Sequence, residues 1–162
     1  MHPTLIANDH PLSQVNGSFN AVYLHGHACK EMMLQGRGAG DLPTASAVVG
    51  DILHAATVDV HVHPTFVNSA NADASLVFTN DWKTRYFLRL SIQDEPGSLA
   101  KIATWLSSEQ VSIATMMQKA ELAGSRVPLI IITHEANEQA IRAALAKFDP
   151  EVCTVENMIR VE

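Results

Sequence analysis

The sequence predicts an α+β fold in which a βαββαβ unit follows a shorter segment of strand, hairpin and helix. Three observations carry this reading. Arg85 to Ile92 alternates, with Tyr86, Leu88, Leu90 and Ile92 on one face; Leu99, Ile102, Ala103 and Leu106 recur at helical spacing just behind it; and the glycine-rich run Gly36 to Asp51, GRGAGDLPTASAVVGD, opens a second amphipathic stripe. A period of two marks a strand with one buried face, and a period of 3.6 marks a helix packed on one side.

The elements follow in order. Thr4 to Ala7 reads as a short strand and Asp9 to Val15 as a turn or short helix. Ser18 to Leu24 and Cys29 to Gln35 read as paired strands, with His25, Gly26 and His27 turning between them. Glycines 36, 38 and 40 permit positive φ, and Pro43 suits the first turn of a helix, where its missing N–H is no loss. Leu42, Ala45, Val48, Val49, Ile52, Leu53 and Ala56 predict a packed helix over 42–57. A glycine turn opening a helix offers backbone N–H groups to an anion, so a phosphorylated ligand is expected nearby. The spacing alone fits a plain tight turn better, because the sixth-position glycine of the dinucleotide fingerprint is missing and no βαβ unit follows.

Residues 64–81, PTFVNSANADASLVFTND, read as a connector between a first region, 1–63, and a second, 82–162. In the second, Gln93 to Gly97 forms a turn into the helix. Val111 to Lys119 and Val127 to Thr133 are strands joined around Ala123-Gly124-Ser125, Ala136 to Lys147 is a helix through Ala140, Ile141, Ala144 and Leu145, and Val152 to Val161 is the closing strand. Helices on one face of an antiparallel sheet are the compact solution for that order.

Composition narrows the function. The 162 residues carry a formal charge of −6 and no cluster of Lys and Arg, which argues against nucleic acid and anionic membrane as partners. No apolar run approaches a membrane span, and MHPTLIANDH lacks the basic and hydrophobic parts of a signal peptide, so a cytoplasmic location is expected. Cys29 and Cys153 show no C-x-x-C spacing and read as reduced structural thiols. His25 with His27, and His61 with His63, form H-x-H pairs, but a full ligand set is missing around them and no metal is expected. Residues 1–81 hold two Lys/Arg and seven Asp/Glu, against nine and ten in 82–162. So charge-poor a first half has a surface suited to being covered by other protein.

The stretch from His2 to Val22, HPTLIANDHPLSQVNGSFNAV, together with Gly36 to Asp51 resembles the C-terminal end of the catalytic region of homoserine dehydrogenase, including its GxGAGxxPTASAV signature. The resemblance implies that Gly40 lies against the nicotinamide of NAD or NADP, with Gly38 and Ala39 beside it. The family's Rossmann domain, catalytic lysine and catalytic aspartate precede this segment. No catalytic residue is therefore assigned in this chain, no cofactor is expected to bind it tightly, and uncovered apolar surface with self-association is expected.

The pattern D-x-P-G-x-L-x-x-I, carried by Asp94, Pro96, Gly97, Leu99 and Ile102, resembles an ACT domain, and FTNDWKTRYFLRL at Phe78 to Leu90 resembles the join to that domain in bacterial homoserine dehydrogenases. The implied fold is ferredoxin-like. The implied partners are an amino-acid effector, L-threonine by family habit, a second copy paired through sheet edges, and the enzyme's catalytic part. The implied effector site comprises Asp94 to Ser98 and Ser112 to Ala114. Gly97 and Ser98 amides would receive the carboxylate, Asp94 the ammonium and Ser112 a hydroxyl, with Ile113 alongside. Equally open is that Pro96-Gly97 only makes the turn and Ser98 caps the helix. Gln118, polar in an apolar strand, suits a ligand contact or an exposed edge. The implied function is the C-terminal part of an enzyme interconverting L-homoserine and L-aspartate 4-semialdehyde, with threonine feedback; the alternative is a free-standing amino-acid-binding module acting on a partner chain.

Overall fold

The alternating segment becomes the central strand of a sheet. The structure, a computed structural model, describes residues 2–58, 82–118 and 126–162. The chain divides into two compact units, one of Met1–Ile6 with Phe78–Glu162 and one of Ala7–Val77. Its elements are β1 (Thr4–Leu5), a 3-10 turn (Pro11–Gln14), β2 (Phe19–Gly26), β3 (Lys30–Arg37), α1 (Asp41–Thr57), β4 (Lys83–Gln93), α2 (Ser98–Ser108), β5 (Ile113–Gln118), β6 (Arg126–Thr133), β7 (Ala136–Asn137), α3 (Glu138–Ala146) and β8 (Cys153–Val161). The connector at 64–81, the His61/His63 pair and the turn at 123–125 lie outside the described residues.

In the first unit the sheet order is β1-β8-β4-β6-β5, with β4 antiparallel to both β8 and β6, and β5 antiparallel to β6. The four long strands thus stand fourth, first, third and second in chain order, a ferredoxin-like arrangement. Tyr86, Leu88, Leu90 and Ile92 are all buried, against Leu129 and Ile131 of the sheet and Ile102, Leu106, Ile141 and Ala144 of the helices. Leu99, expected in the α2 stripe, is 37% exposed. The helix instead turns Ser98 inward, so its stripe runs Ser98, Ile102, Trp105 and Leu106, with Trp105 stacked on Phe148 at 5.3 Å. Its neighbour Leu99 is carried about 100° around the axis, towards solvent.

The predicted strand at Thr4 forms, and its partner is one that local pattern could not supply. Thr4 pairs with Arg160 and Leu5 with Val161 in a parallel ladder, and the Glu162 N–H donates to the Leu5 carbonyl at 3.0 Å.

The described residues of the second unit form elements but no core. Strands β2 and β3 pair in unbroken register from Phe19↔Arg37 to Gly26↔Lys30. The hairpin loop is therefore His27 to Cys29, not His25 to His27, and Lys30 takes the positive φ of 57°. Gly26 lies within β2, with the Cys29 Sγ in the space a Cβ would take. Helix α1 forms as expected, but its stripe is uncovered: Leu42 is 78% and Ile52 61% exposed, and Val22 and Leu34 of the hairpin are exposed as well. Not one described residue of this unit is buried. A two-stranded ribbon has too little apolar face to cover a helix of 17 residues. Neither cysteine is bonded, Cys29 being exposed and Cys153 buried with its thiol pushed up to about 11 by burial. Among the described residues no helix is long and apolar enough to cross a membrane.

Candidate functional site

Where β4 ends at Gln93 the chain turns through Asp94, Glu95 and Pro96 to Gly97, which caps α2 in the left-handed region at φ 98°. That φ is open to glycine and strained for most side chains. The Ser98 N–H is already engaged by the Glu95 carbonyl at 3.2 Å, and Ser98 is buried inside the first turn of α2. Ser98 is thus neither the cap nor a spare amide. What remains for an anion is the Gly97 end of the helix. Asp94 is exposed, and one carboxylate oxygen accepts a bond from the Gln118 Nε2 at 3.2 Å. The contact joins the turn to the last residue of β5 and gives Gln118, ambiguous in sequence, a definite partner.

The other expected residues lie elsewhere. Ser112 is exposed, with its carbonyl accepting from the His134 N–H, and Ile113 opens β5 opposite Thr133. Gln118 stands opposite Leu129, which stands opposite Leu90 of β4. Asp94 and Gln118 therefore share one end of the sheet, while Ser112 and Ile113 lie at the other, roughly 20 Å away along the strand. One copy of the chain does not bring the two sets together.

The glycine turn is built differently from an anion cradle. Gly40 caps α1 at φ 126°, and a Cβ there would stand 3.1 Å from the Pro43 ring. Asp41 opens the helix, and its Oδ1 accepts from the Leu42 N–H at 2.8 Å. One amide of the first turn is therefore taken up by the chain's own carboxylate. The Gly38 N–H donates to the Ser18 carbonyl, and the Asn20 side-chain amide covers the position of any Cβ on Gly38. Gly38, Ala39 and Gly40 are exposed. Gly40 is thus bare and solvent-facing beside the Asp41 carboxylate. Gly40→Ala is expected to destabilise the start of α1 by about 1–3 kcal/mol, through backbone strain. Faster hydrogen exchange at Thr44, whose N–H bonds to the Gly40 carbonyl, would report it. Among the described residues no three potential metal ligands gather.

Known proteins match both parts. A homoserine dehydrogenase family model matches residues 1–53 and an ACT domain model matches residues 86–149. Homoserine dehydrogenase of Corynebacterium glutamicum is 37% identical over the whole chain, and that of Pseudomonas aeruginosa is 38% identical over 92% of it. The chain belongs to the homoserine dehydrogenase family. It corresponds to the C-terminal part of such an enzyme, with an ACT domain, and spans 36% of the length of those two relatives. The crystal structure of a homoserine dehydrogenase from Thiobacillus denitrificans superposes with a TM-score of 0.75 at 35% identity, covering 99% of this chain and 38% of that one. In homoserine dehydrogenase terms, the coreless hairpin and helix fall in the enzyme's match, and the ferredoxin-like sheet carries the ACT match.

Proposed function

We propose that this chain is the regulatory end of an enzyme that interconverts L-homoserine and L-aspartate 4-semialdehyde with NAD or NADP, in the biosynthesis of threonine, methionine and isoleucine in the cytoplasm. The nicotinamide supplies the hydride; the residues of this chain beside it, Gly38, Ala39 and Gly40, would only offer a flat backbone surface to its ring. No hydride transfer is expected from the chain alone, because the reacting carbonyl must be held in line with the ring and supplied with a proton by groups from the rest of the enzyme.

We further propose that the ACT sheet binds L-threonine between two copies of the chain. The observation that carries this is the placement of Asp94 and Gln118 at one end of β5 and of Ser112 and Ile113 at the other. β5 is the sheet's outer strand, with Met116 and Met117 exposed. Two such edges running antiparallel about a two-fold axis set the Asp94 end of one copy against the Ser112 end of its mate. Each ligand then meets the Gly97 turn of one copy and the start of β5 in the other, which supports the split site. A calorimetric titration with L-threonine, with L-serine, L-isoleucine and L-methionine as comparisons, tests the ligand. Sedimentation of the Met116→Lys, Met117→Lys double variant tests the geometry, since charge on an edge strand blocks its pairing. Selective threonine binding lost together with dimerisation is expected; threonine bound by a monomeric variant would place the site within one copy.

A further inference from the structure

At the end of the sheet opposite the Asp94 turn, Arg160 of β8 gathers three parts of the chain. Its backbone pairs with Thr4 of β1 on one side and Tyr86 of β4 on the other. Directly opposed residues on neighbouring strands share a face of the sheet, so Thr4, Arg160 and Tyr86 form a row on the side the helices cover. The Arg160 guanidinium, largely buried, holds Oε2 of the buried Glu138 at the start of α3, through Nε at 3.0 Å and through Nη2. Arg142 holds the other oxygen at 2.7 and 3.0 Å. The Trp82 ring lies 5.9 Å from the Arg160 guanidinium, close enough for a cation–π contact. The Trp82 carbonyl accepts the Glu138 N–H at 2.8 Å, and the Trp82 ring meets His2 edge-on at 6.4 Å. A cavity of about 330 Å3 runs along this seam beside His2, Thr4, Trp82 and Arg160.

The two places where the ACT sheet meets the preceding chain therefore converge on one side chain. Residues 2–6 belong by sequence to the enzyme's match, yet fold onto the edge of the regulatory sheet and run on into Ala7. Trp82 is where the chain enters β4. We propose that Arg160, clamped by Glu138, is a latch that seats the His2–Ile6 segment and Trp82 together, so that both attachments are made or released as one. Arg160 acts here as a positioning residue. The backbone ladder holding β1 is two residues long and on its own is weak; the Arg160 side chain fixes the shape of the edge to which it pairs and the Trp82 ring against which His2 rests. Since β8 lies beside β4, which ends in the Asp94 turn, a shift of either strand would carry both attachments with it. The inference does not depend on which effector that turn reads.

The test uses the whole chain and two variants that strike the latch from different sides. Arg160→Met removes the guanidinium and keeps its aliphatic stem. Leu5→Pro disturbs only the exposed edge strand, remote from Trp82 and Glu138 in sequence. Hydrogen exchange is read at two amides, Glu162 (bonded to Leu5) and Glu138 (bonded to Trp82), with Leu88 and Leu90 as controls for the core. Iodide quenching of Trp82 is read in a Trp105→Phe background. A shared latch speeds both amides by about tenfold or more in each variant, leaves the core amides unchanged and raises quenching of Trp82 in both. Independent attachments, in which Leu5→Pro speeds Glu162 while Glu138 exchange and Trp82 quenching stay at the parent level, overturn the proposal. Should Arg160→Met unfold the core, Leu5→Pro decides alone, because its side chain is partly exposed on an edge outside the core cluster.

Discussion

Glu138→Gln is expected to lower the unfolding free energy of the ACT sheet by about 3 kcal/mol, the low end of what breaking a buried ion pair costs. The Glu138 side chain is 8% exposed and carries one guanidinium on each oxygen, Arg160 at 18% and Arg142 at 64% exposure. Glutamine keeps the shape but leaves Arg160 without its counter-charge in a mostly dry setting; Arg142 can turn to water, which holds the loss near the lower limit. Burial alone would raise the Glu138 carboxyl, but the hydrogen bonds and charges of Arg142 and Arg160 outweigh it and hold the group below its ordinary value. The sign follows from that direction. A carboxyl depressed in the folded state contributes stability that is fully present above its unfolded pKa, about 4.3, and is lost as pH falls through the lower folded value. Urea unfolding followed by tryptophan emission should show the gap between parent and variant wide at pH 7 and closing in acid. A gap that is small at pH 7, or that widens on acidification, would mean that the triad is solvated in solution.

Much of the ACT sheet was legible because its pattern and its burial coincide. The alternation of Tyr86, Leu88, Leu90 and Ile92 says which face packs, and the helices that cover that face lie in the same chain. In α1 the pattern was equally clear, yet Leu42 and Ile52 face solvent. A 3.6 period states which side of a helix is apolar; it does not say whether the covering layer is present. The strand at Thr4 was readable as a strand, but its partner Arg160 lies near the other end of the chain, and pairing over such a separation leaves no local trace. The hairpin loop slipped by two residues because Gly26 suggested the turn, whereas that glycine lies in the strand and Lys30 carries the positive φ. At the effector site, D-x-P-G identified a turn of the right kind. Spacing along the chain could not show that Ser112 and Asp94 stand at opposite ends of the sheet, since that depends on the register of β5 with β6. At the glycine turn the charge of Asp41 was visible in the sequence, but its bond to the Leu42 amide was not.

L-threonine at one hundred times its dissociation constant is expected to stabilise the chain by about 2.7 kcal/mol, the value mass action gives for a ligand that binds only the folded state. For a sheet of this size that raises the thermal midpoint by on the order of 10 °C. Replacements at Gly97 locate the effect. A Cβ on Gly97 would meet nothing within 4 Å, so a side chain there extends into the space in front of the turn. At φ 98° a β-branched residue is also strained, and Gly97→Val should lose stability even without ligand. Asparagine tolerates the left-handed region far better, so Gly97→Asn separates the two effects. It should fold with nearly the parent midpoint and yet lose the threonine shift, because its side chain stands where the ligand carboxylate would approach the Gly97 amide. An undiminished shift in Gly97→Asn would put the ligand away from this turn. A parent protein that dimerises through β5 but shows no threonine shift would remove threonine as the effector while leaving the split site for another amino acid. A parent that neither dimerises nor shifts would assign the exposed edge of β5 to contact with the rest of the enzyme, and the regulatory reading would fall with it.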